Sequence, residues 1–291
     1  MFGIICKDEL AADNPSLFYN FRLGLQNYFD TQFKNVECVD DLDGIDILII
    51  VDEHWSPHTD IWKKTPGFID TLNRLNITTL VFNFEKIFNS RFPWNVDHQQ
   101  KLQLIKNLHQ FVSDVEDAAI LNSPLLNKQL LSKDTILDFD DSEKQDKILF
   151  IGQSDESPDP SSAYSRRFNV ISNLQAREDI PLDVCLTKRA LSYKEFLTKL
   201  ASYKFVLNPL GCGDFINVRF YEALKLGCIP IQQVTDNMLN KYSELSSNIC
   251  CKFRSPDELQ LSNIPDFNSF DRFNYYLEDY FKEVELEKQI A

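Results

Sequence analysis

The segment that most constrains the fold of this chain is residues 203–233, YKFVLNPLGCGDFINVRFYEALKLGCIPIQQ. Its apolar start, Lys204–Leu207, predicts a buried strand, and a loop with two glycines leads to a helix predicted over Asn217–Leu226. A second apolar strand, Cys228–Gln232, follows at once. Strand, loop, helix and strand in this order form a βαβ unit, and the free backbone N–H groups at the start of its helix can bind an anion.

The same alternation is predicted along the rest of the chain. The other predicted strands are Phe2–Cys6, Asn35–Val39, Ile45–Val51, Ile77–Phe82, Ala118–Leu121, Lys147–Ile151, Leu182–Leu186 and Ile249–Phe253. The other predicted helices are Pro15–Phe29, Pro66–Leu75, Val96–Phe111, Ser165–Ala176, Ser192–Ala201 and a C-terminal helix from Asp271 on. Strands that alternate with helices predict an α/β fold with mostly parallel sheets.

A polar and acidic stretch at residues 132–146 interrupts this alternation. A chain of 291 residues is long enough for two domains with separate cores, whereas a single domain of this size is uncommon. We therefore predict an N-terminal domain over residues 1–140 and a C-terminal domain over residues 141–291.

Charge and cysteine usage narrow the possible partners and compartments. The net charge of -14 repels phosphate polymers, which argues against a general nucleic-acid binder. The seven cysteines include no CxxC pair, so neither a disulfide framework nor a zinc ribbon is predicted. The apolar run at the N-terminus is too short for a secretory signal, and no apolar stretch is long enough to span a membrane. We expect a soluble, cytoplasmic protein.

Three arginines occupy unfavourable positions at predicted helix starts. Arg166 and Arg167 begin one helix and Arg219 begins another, although a helix N-terminus disfavours a cation by about 0.3 to 1 kcal/mol. A diphosphate between the two strand-to-helix loops would compensate, because the guanidinium groups and the free N–H groups would share its charge. The alternative is that these arginines lie on the surface or pair with acids such as Asp159 or Asp214.

The helix of Arg219 also carries Glu222, which projects from nearly the same face. The functional interpretation is that the carboxylate accepts hydrogen bonds from a ribose diol while the arginine binds phosphate; the alternative is an intrahelical salt bridge. Gly211 and Gly213 allow a ligand close to the backbone, but neither the third glycine of a dinucleotide fingerprint nor the Gly-Lys-Ser/Thr of a P-loop follows them.

Metal-binding patterns are weak. His54 and His58 have the spacing of helical ligands, but Pro57 between them breaks such a helix. The Asp-x-Asp pairs at residues 41–43 and 138–140 are typical of solvated charge. We predict no metal site and no required cofactor.

Two segments of the second domain resemble a known family. The run that starts at Tyr203 resembles the nucleotide-sugar half of exostosin-like glycosyltransferases, in which a KF-L-P-G strand and loop precede an Arg, a Glu-Ala-Leu helix and a GC-P-I strand. Upstream, FIGQ and SRRFNVISNL are similar to that family's F-G strand and arginine-led helix. The resemblance covers residues 147–233, and the first domain shares only the alternation of strands and helices.

This resemblance implies a GT-B fold, in which two Rossmann-like domains face each other across a cleft and the C-terminal one holds the donor, commonly a UDP-sugar. Ligands of parallel sheets also bind at the carboxyl ends of the strands, which are the same loops. The residues that we expect to bind the donor are Gly152, Arg166, Arg167, Asn208, Pro209, Gly211, Arg219 and Glu222. Arginines and helix N-termini, rather than a metal, would stabilise the leaving diphosphate.

An inverting transfer also needs a base that takes the proton of the acceptor hydroxyl. We expect this base from the first domain, where Asp52, Glu53 and His54 follow its most apolar strand and Glu85 follows the next one. For each of them the alternative is an ordinary capping or surface residue.

The function that the sequence predicts is transfer of a sugar such as xylose, galactose or glucuronic acid from a UDP-sugar to a hydroxyl of a glycan or glycoconjugate, with inversion and without a metal. The alternatives are a nucleotide-sugar epimerase or hydrolase on the same fold, and a non-catalytic nucleotide- or glycan-binding protein. The family is usually anchored in the Golgi membrane, whereas no anchor is predicted here, so we expect a viral or microbial version in the cytosol.

Overall fold

The computed structural model describes residues 1–6, 17–52, 66–84, 93–125, 128, 130–134, 144–154, 162–186, 191–211, 213–246, 249–269 and 275–290. Within these residues, no helix combines the length and the apolar character that crossing a membrane requires.

The first half of the chain, residues 1–140, forms a five-stranded parallel sheet with the order β2-β1-β3-β4-β5. Its strands are β1 (Phe2–Ile5), β2 (Lys34–Asn35), β3 (Ile47–Asp52), β4 (Thr78–Asn83) and β5 (Leu108–Val112). Its described helices are α1 (Leu17–Phe29), α2 (Phe68–Leu75), α3 (Pro93–Leu102) and α4 (Val115–Leu121).

The second half, residues 141–291, forms a separate five-stranded parallel sheet with the order β10-β9-β8-β6-β7. Its strands are β6 (Gln145–Gly152), β7 (Leu182–Leu186), β8 (Tyr203–Asn208), β9 (Ile229–Gln233) and β10 (Cys251–Phe253). Its described helices are α5 (Ala163–Gln175), α6 (Tyr193–Ala201), α7 (Val218–Lys225), α8 (Asp236–Lys241), α9 (Leu277–Glu283) and α10 (Leu286–Ile290).

Both sheets have the same topology. In each half the first strand lies between the second and the third, so the strand order reverses direction between β1 and β3 in one sheet and between β6 and β8 in the other. Open parallel sheets bind ligands at the carboxyl ends of the strands beside such a switch point. The predicted α/β fold with mostly parallel sheets is confirmed, and it is consistent with two Rossmann-like domains of the GT-B type.

Two predicted elements of the first half are wrong. The helix predicted over Val96–Phe111 ends at Leu102, and β5 occupies its last part. Leu102, Ile105, Leu108 and Phe111 repeat every third residue, which imitates helical spacing across a turn that is followed by a strand. The strand predicted over Ala118–Leu121 belongs to α4, because the Asp114 carboxylate accepts hydrogen bonds from the backbone N–H groups of the first turn and nucleates a helix there.

A single apolar cluster, here called the inter-half cluster, contains residues of both halves. Helix α7 contributes Phe220, Tyr221 and Leu224 to it, and the first half contributes side chains such as Phe21 and Phe82. Fully buried aromatic side chains are among the largest contributors to packing energy. The helix that carries Arg219 and Glu222 is therefore fixed at the contact between the two halves.

Helix α9 packs against α1 of the first half. The Leu277 N–H donates to the Leu131 carbonyl at 3.1 Å, and the rings of Phe21 and Phe281 meet edge to face with centroids 5.6 Å apart. The buried Glu278 carboxylate accepts hydrogen bonds from Asn27 Nδ2, Ser132 Oγ and the Lys133 N–H. The end of the chain thus contributes to the core of the first half, and the domain boundary at residue 140 stays a prediction from sequence.

Candidate anion-binding site at the second sheet

The candidate site lies where β6 and β8 end, at the switch point of the second sheet. Strand β6 ends at Gly152 and β8 ends at Asn208, and the chain after β8 leads into the first turn of α7. The Asn217 side chain caps that helix, because its Oδ1 accepts a hydrogen bond from the Arg219 N–H at 3.1 Å. This local structure places Arg219 in the first turn, as the sequence predicts.

The guanidinium of Arg219 is buried without hydrogen-bond partners for two of its nitrogens. Among the described residues, neither Nε nor Nη1 has a partner, and both are inaccessible to solvent. The group lies over the Phe150 ring, with Cζ 5.5 Å from the ring centroid. An unsatisfied buried polar group costs about 1 to 3 kcal/mol, and more when it is charged, and hydrogen-bond acceptors on a bound ligand would remove this cost.

Gly152 makes room for this guanidinium. A Cβ atom at position 152 would lie 2.6 Å from Arg219 Nη2, so the guanidinium would have to move to make room for any other residue. The backbone φ of +151° at this residue also favours glycine. Glycine at the end of this strand thus leaves the space that the arginine occupies.

Arg219 nevertheless keeps its positive charge at neutral pH. Burial and, secondarily, the positive charge of Arg167 lower the pKa of Arg219 from 12.5 to about 10. Two cationic side chains thus act on each other at the ends of β6 and β8. A bound anion would remove their repulsion and supply the missing acceptors.

Two further buried polar atoms near the ends of β6 and β8 have no hydrogen-bond partner among the described residues. They are Ser154 Oγ, two residues beyond the end of β6, and Asn208 Oδ1 at the end of β8, and both residues are buried. The Asn208 amide is held on its other side, since Nδ2 donates to Gln232 Oε1 at 2.5 Å. The site therefore offers hydrogen-bond donors for an anion, an amide oxygen that can accept from a ligand, and a hydroxyl that can do either. Sequence reasoning missed Ser154, although a polar residue just beyond a strand-end glycine is a signal that could have found it.

Arg166 and Arg167 order the loop after β8. Arg166 Nη2 donates to the Gly211 carbonyl at 2.8 Å, and Arg167 Nε donates to the Leu210 carbonyl at 3.3 Å. Pro209 and Gly211 in this loop are buried, and a Cβ at position 211 would lie 3.2 Å from Arg167 Nη2. The structure brings these four predicted residues together with Arg219, and both arginines hydrogen-bond to the loop backbone.

Glu222 points away from solvent on the same helix. Its side chain is buried and Oε1 accepts a hydrogen bond from the Tyr193 hydroxyl of α6 at 2.7 Å. Burial raises the pKa of Glu222 from 4.5 to about 7, against the opposing effects of the Tyr193 hydrogen bond and the Arg219 charge. No ion pair within 4 Å joins this carboxylate to Arg219, whose Nε and Nη1 stay without partners. The intrahelical salt bridge that was the alternative interpretation is not formed.

The residues predicted as the catalytic base are only partly covered by the structure. Asp52 is the last residue of β3, beside the switch point of the first sheet and in register with Asn83 of β4. Glu53, His54 and Glu85 lie outside the described residues.

A carboxylate that sequence reasoning missed lies against the loop after β8. Asp114, which caps α4, is buried, and its Oδ2 lies 2.7 Å from the position that a Cβ on Gly213 would occupy. Ser113-Asp114 before the run VEDAAIL is a helix-capping pattern that could have predicted both the cap and the helix. Through this contact the first half touches the loop of the candidate site.

The described part of the chain contains no group of three His, Cys, Asp or Glu side chains placed to hold a metal ion.

Comparison with known proteins adds a loose structural likeness. No protein-family model matches the sequence, and no curated protein matches it significantly. Among solved structures, the spinosyn rhamnosyltransferase SpnG complexed with thymidine diphosphate superposes with a TM-score of 0.34 and 9% sequence identity. The alignment covers 84% of this chain, which spans 66% of that enzyme's length. The likeness is to a glycosyltransferase, it does not extend to the exostosin-like family in particular, and a superposition this loose does not define the activity.

Proposed function

We propose that this chain is a glycosyltransferase that moves a sugar from a nucleoside diphosphate donor, with UDP as the nucleotide, to a hydroxyl of a glycan acceptor. The single observation that carries the proposal is the buried Arg219 guanidinium, with partnerless Nε and Nη1, at the switch point of a parallel sheet. The resemblance of residues 147–233 to exostosin-like enzymes supports the same assignment.

The diphosphate and the hydroxyl groups of such a donor have matching groups in the site. The diphosphate would accept hydrogen bonds from Arg219 and from the N-terminal N–H groups of α7. Asn208 Oδ1, which accepts no hydrogen bond from the described residues, would accept one from a hydroxyl or amide group of the nucleotide sugar. Inorganic phosphate has no such group at that position. Ser154 Oγ would bind either kind of group. A ligand that combines an anion with hydroxyls therefore fits better than an anion alone.

The arginine would also assist the chemistry. When the bond between sugar and diphosphate breaks, negative charge develops on the leaving phosphate oxygen, and a prearranged cation in a buried site stabilises that charge strongly. The proton of the acceptor hydroxyl would pass to a base of the first half, for which Asp52, Glu53 and His54 are the first candidates and Glu85 the next. In this scheme the chain needs no metal, and the sugar is a hexose or pentose such as galactose, glucuronic acid or xylose.

Titration calorimetry with UDP, TDP and GDP tests the donor site. We expect the wild-type chain to bind UDP and Arg219→Met to bind it about ten- to a hundredfold more weakly, because hydrogen bonds to a charged group are lost. Methionine keeps the apolar stem, and the free variant should melt no lower than the wild type because a buried unpaired charge is removed. Arg254→Ala is the matched control, since this exposed arginine pairs with Asp236 and should not affect nucleotide binding.

The binding result can refute the proposal in two ways. If none of the three nucleotides binds to the wild-type chain at millimolar concentration, the donor site does not exist. If Arg219→Met binds UDP as tightly as the wild type, the arginine has a structural role only. For a chain that does bind UDP, release of UDP from UDP-sugars with and without added glycans distinguishes transfer from simple hydrolysis of the donor.

A further inference from the structure

Tyr193 connects the candidate site to the first half of the molecule. Its hydroxyl donates to Glu222 Oε1 at 2.7 Å and is also hydrogen-bonded to the side chain of Asn20, a fully buried residue of α1. Three helices therefore meet at one phenol oxygen: α1 from the first half, and α6 and α7 from the second half. The ionisable groups that act on the pKa of Glu222 are Tyr193 from α6 and Arg219 from α7 itself.

Without this phenol, Glu222 has a competing partner close by. Glu222 and Arg219 are three residues apart on α7, a spacing at which a carboxylate and a guanidinium form a salt bridge on a helix. The two charges already attract each other, since the Arg219 charge lowers the pKa of Glu222. The carboxylate nevertheless hydrogen-bonds to Tyr193, and Arg219 Nε and Nη1 stay without a partner.

An ion pair between these two residues would block the anion site. If the Glu222 carboxylate bound the Arg219 guanidinium, it would occupy the N–H groups that a phosphate needs, and it would neutralise the local positive charge. An anionic ligand would then have to displace a buried carboxylate. The position of Glu222 thus controls whether the arginine is available.

We propose that Tyr193 is a positioning residue that holds Glu222 away from Arg219, and thereby keeps the guanidinium available for the diphosphate of the donor. The inference rests on the proposed donor site and adds a residue that lies on a different helix from the arginine. It also explains why α1 takes part: Asn20 fixes the phenol from the side of the first half, so the site is complete only when the two halves are in contact.

A double-mutant cycle on the full chain tests this role, with UDP and inorganic pyrophosphate as probes at pH 8. Tyr193→Phe removes one oxygen atom and should weaken binding of both probes about tenfold, because the freed carboxylate then competes for the arginine. In a Glu222→Gln background, where no charge can compete, the same Tyr193→Phe change should alter affinity by less than about twofold. Tyr203→Phe is the matched control, because Tyr203 makes the same kind of bond to Asp183 Oδ2, at 2.9 Å, in the same half.

Each outcome of this cycle is decisive. If the wild-type chain binds a probe and Tyr193→Phe binds it equally well, the positioning role is refuted while the donor site stands. If Tyr193→Phe weakens binding equally in both backgrounds, the tyrosine acts through general structure and the proposed competition is wrong. If the wild-type chain binds neither probe, the donor site itself fails, and with it this role. A tenfold loss that Glu222→Gln removes, with unchanged binding in Tyr203→Phe, supports the inference.

Discussion

Arg219 illustrates how a residue can be costly for the fold and useful for binding. Its position in the first turn of α7 opposes the helix dipole, and its burial without partners for Nε and Nη1 adds a desolvation penalty. Stability alone would favour an apolar residue in that place. Binding sites are where proteins retain such unfavourable groups, because the ligand supplies the missing partners.

Glu222 should make the stability of the protein depend on pH. Its pKa is about 7 in the folded protein, against 4.5 for an ordinary glutamate. Between these values the folded carboxyl binds a proton that the unfolded one has lost, so stability falls as the pH rises through this range. Above pH 7 the full penalty is present, about 3 kcal/mol. We expect Glu222→Gln to be more stable than the wild type at pH 8 by up to this amount, and nearly equal to it at pH 4.5.

Melting temperatures of both proteins between pH 4.5 and pH 8 check this prediction. Glu178→Gln, at an exposed position, is the control and should leave the melting temperature unchanged at every pH. A difference between Glu222→Gln and the wild type that is the same at pH 4.5 and pH 8 would contradict the assignment, because a titrating group cannot produce it.

Sequence reasoning was able to place individual residues where one local rule decides their position. Gly152, Asn208 and Arg219 follow from the ends of two apolar strands and the start of one helix, and the structure brings them to one edge of the sheet. Tyr193 was out of reach, because its partner Glu222 lies 29 residues away and its own helix has an ordinary amphipathic pattern. Whether the predicted residues act as assigned stays a prediction.

At the scale of secondary-structure elements, Lys144 joins two helices of the second half at their C-terminal ends. The residue lies just before β6 and is buried, and its Nζ donates to the Ala201 carbonyl at 2.6 Å and to the Leu226 carbonyl at 2.8 Å. These carbonyls lie at the ends of α6 and α7, where the chain has no intrahelical donors left and the helix dipole attracts a cation. One ammonium group thus completes both helices.

Replacement of this lysine should destabilise the second half without direct loss of anion binding. Lys144→Met keeps the volume but leaves both carbonyls without a buried donor, so we expect a loss of about 2 to 3 kcal/mol. Urea unfolding followed by circular dichroism measures it. Lys147→Met is the control: this half-exposed lysine pairs with Asp183 at the surface, and its loss should cost less than about 1 kcal/mol. Equal effects of the two substitutions would contradict the capping role.

The elements themselves could be predicted where the apolar pattern was unambiguous. Helix α7 was predicted over Asn217–Leu226 and spans Val218–Lys225, with those two predicted ends as its caps. Residues 96–121 were misread because strand β5 is defined by pairing with β4, a contact between distant parts of the chain that local spacing does not encode. The helix cap at Asp114 was a local signal that was overlooked.

At the scale of the whole molecule, the two halves repeat one topology and share the inter-half cluster. No described strand of one sheet belongs to the other half, whereas the exact domain boundary stays a prediction from sequence composition. The return of α9 to the first half was not predictable, because an apolar face at helical spacing does not specify which apolar surface the helix packs against.

Phe281 should therefore stabilise the first half, although it belongs by sequence to the second. All three tryptophans of the chain, Trp55, Trp62 and Trp94, belong by sequence to the first half, so any change in tryptophan fluorescence during urea unfolding comes from that half. Phe281 is fully buried in the inter-half cluster, and Phe281→Ala should cost about 3 to 5 kcal/mol and lower the urea midpoint of the tryptophan signal.

Phe253→Ala provides the comparison for this experiment. Phe253 is equally buried, but it lies in a cluster made only of residues from the second half, so its loss should shift the tryptophan signal less. An unchanged tryptophan midpoint in Phe281→Ala would mean that the stability of the first half does not depend on the packing of α9.

The return of α9 also limits how the halves can move. The chain passes from the first half to the second after Asp134 and packs against the first half again in α9, where the Leu277 N–H donates to the Leu131 carbonyl close to the first of these connections. The two connections between the halves therefore lie next to each other. We expect these adjacent connections to oppose swivelling of one half on the other and to favour an opening motion about them.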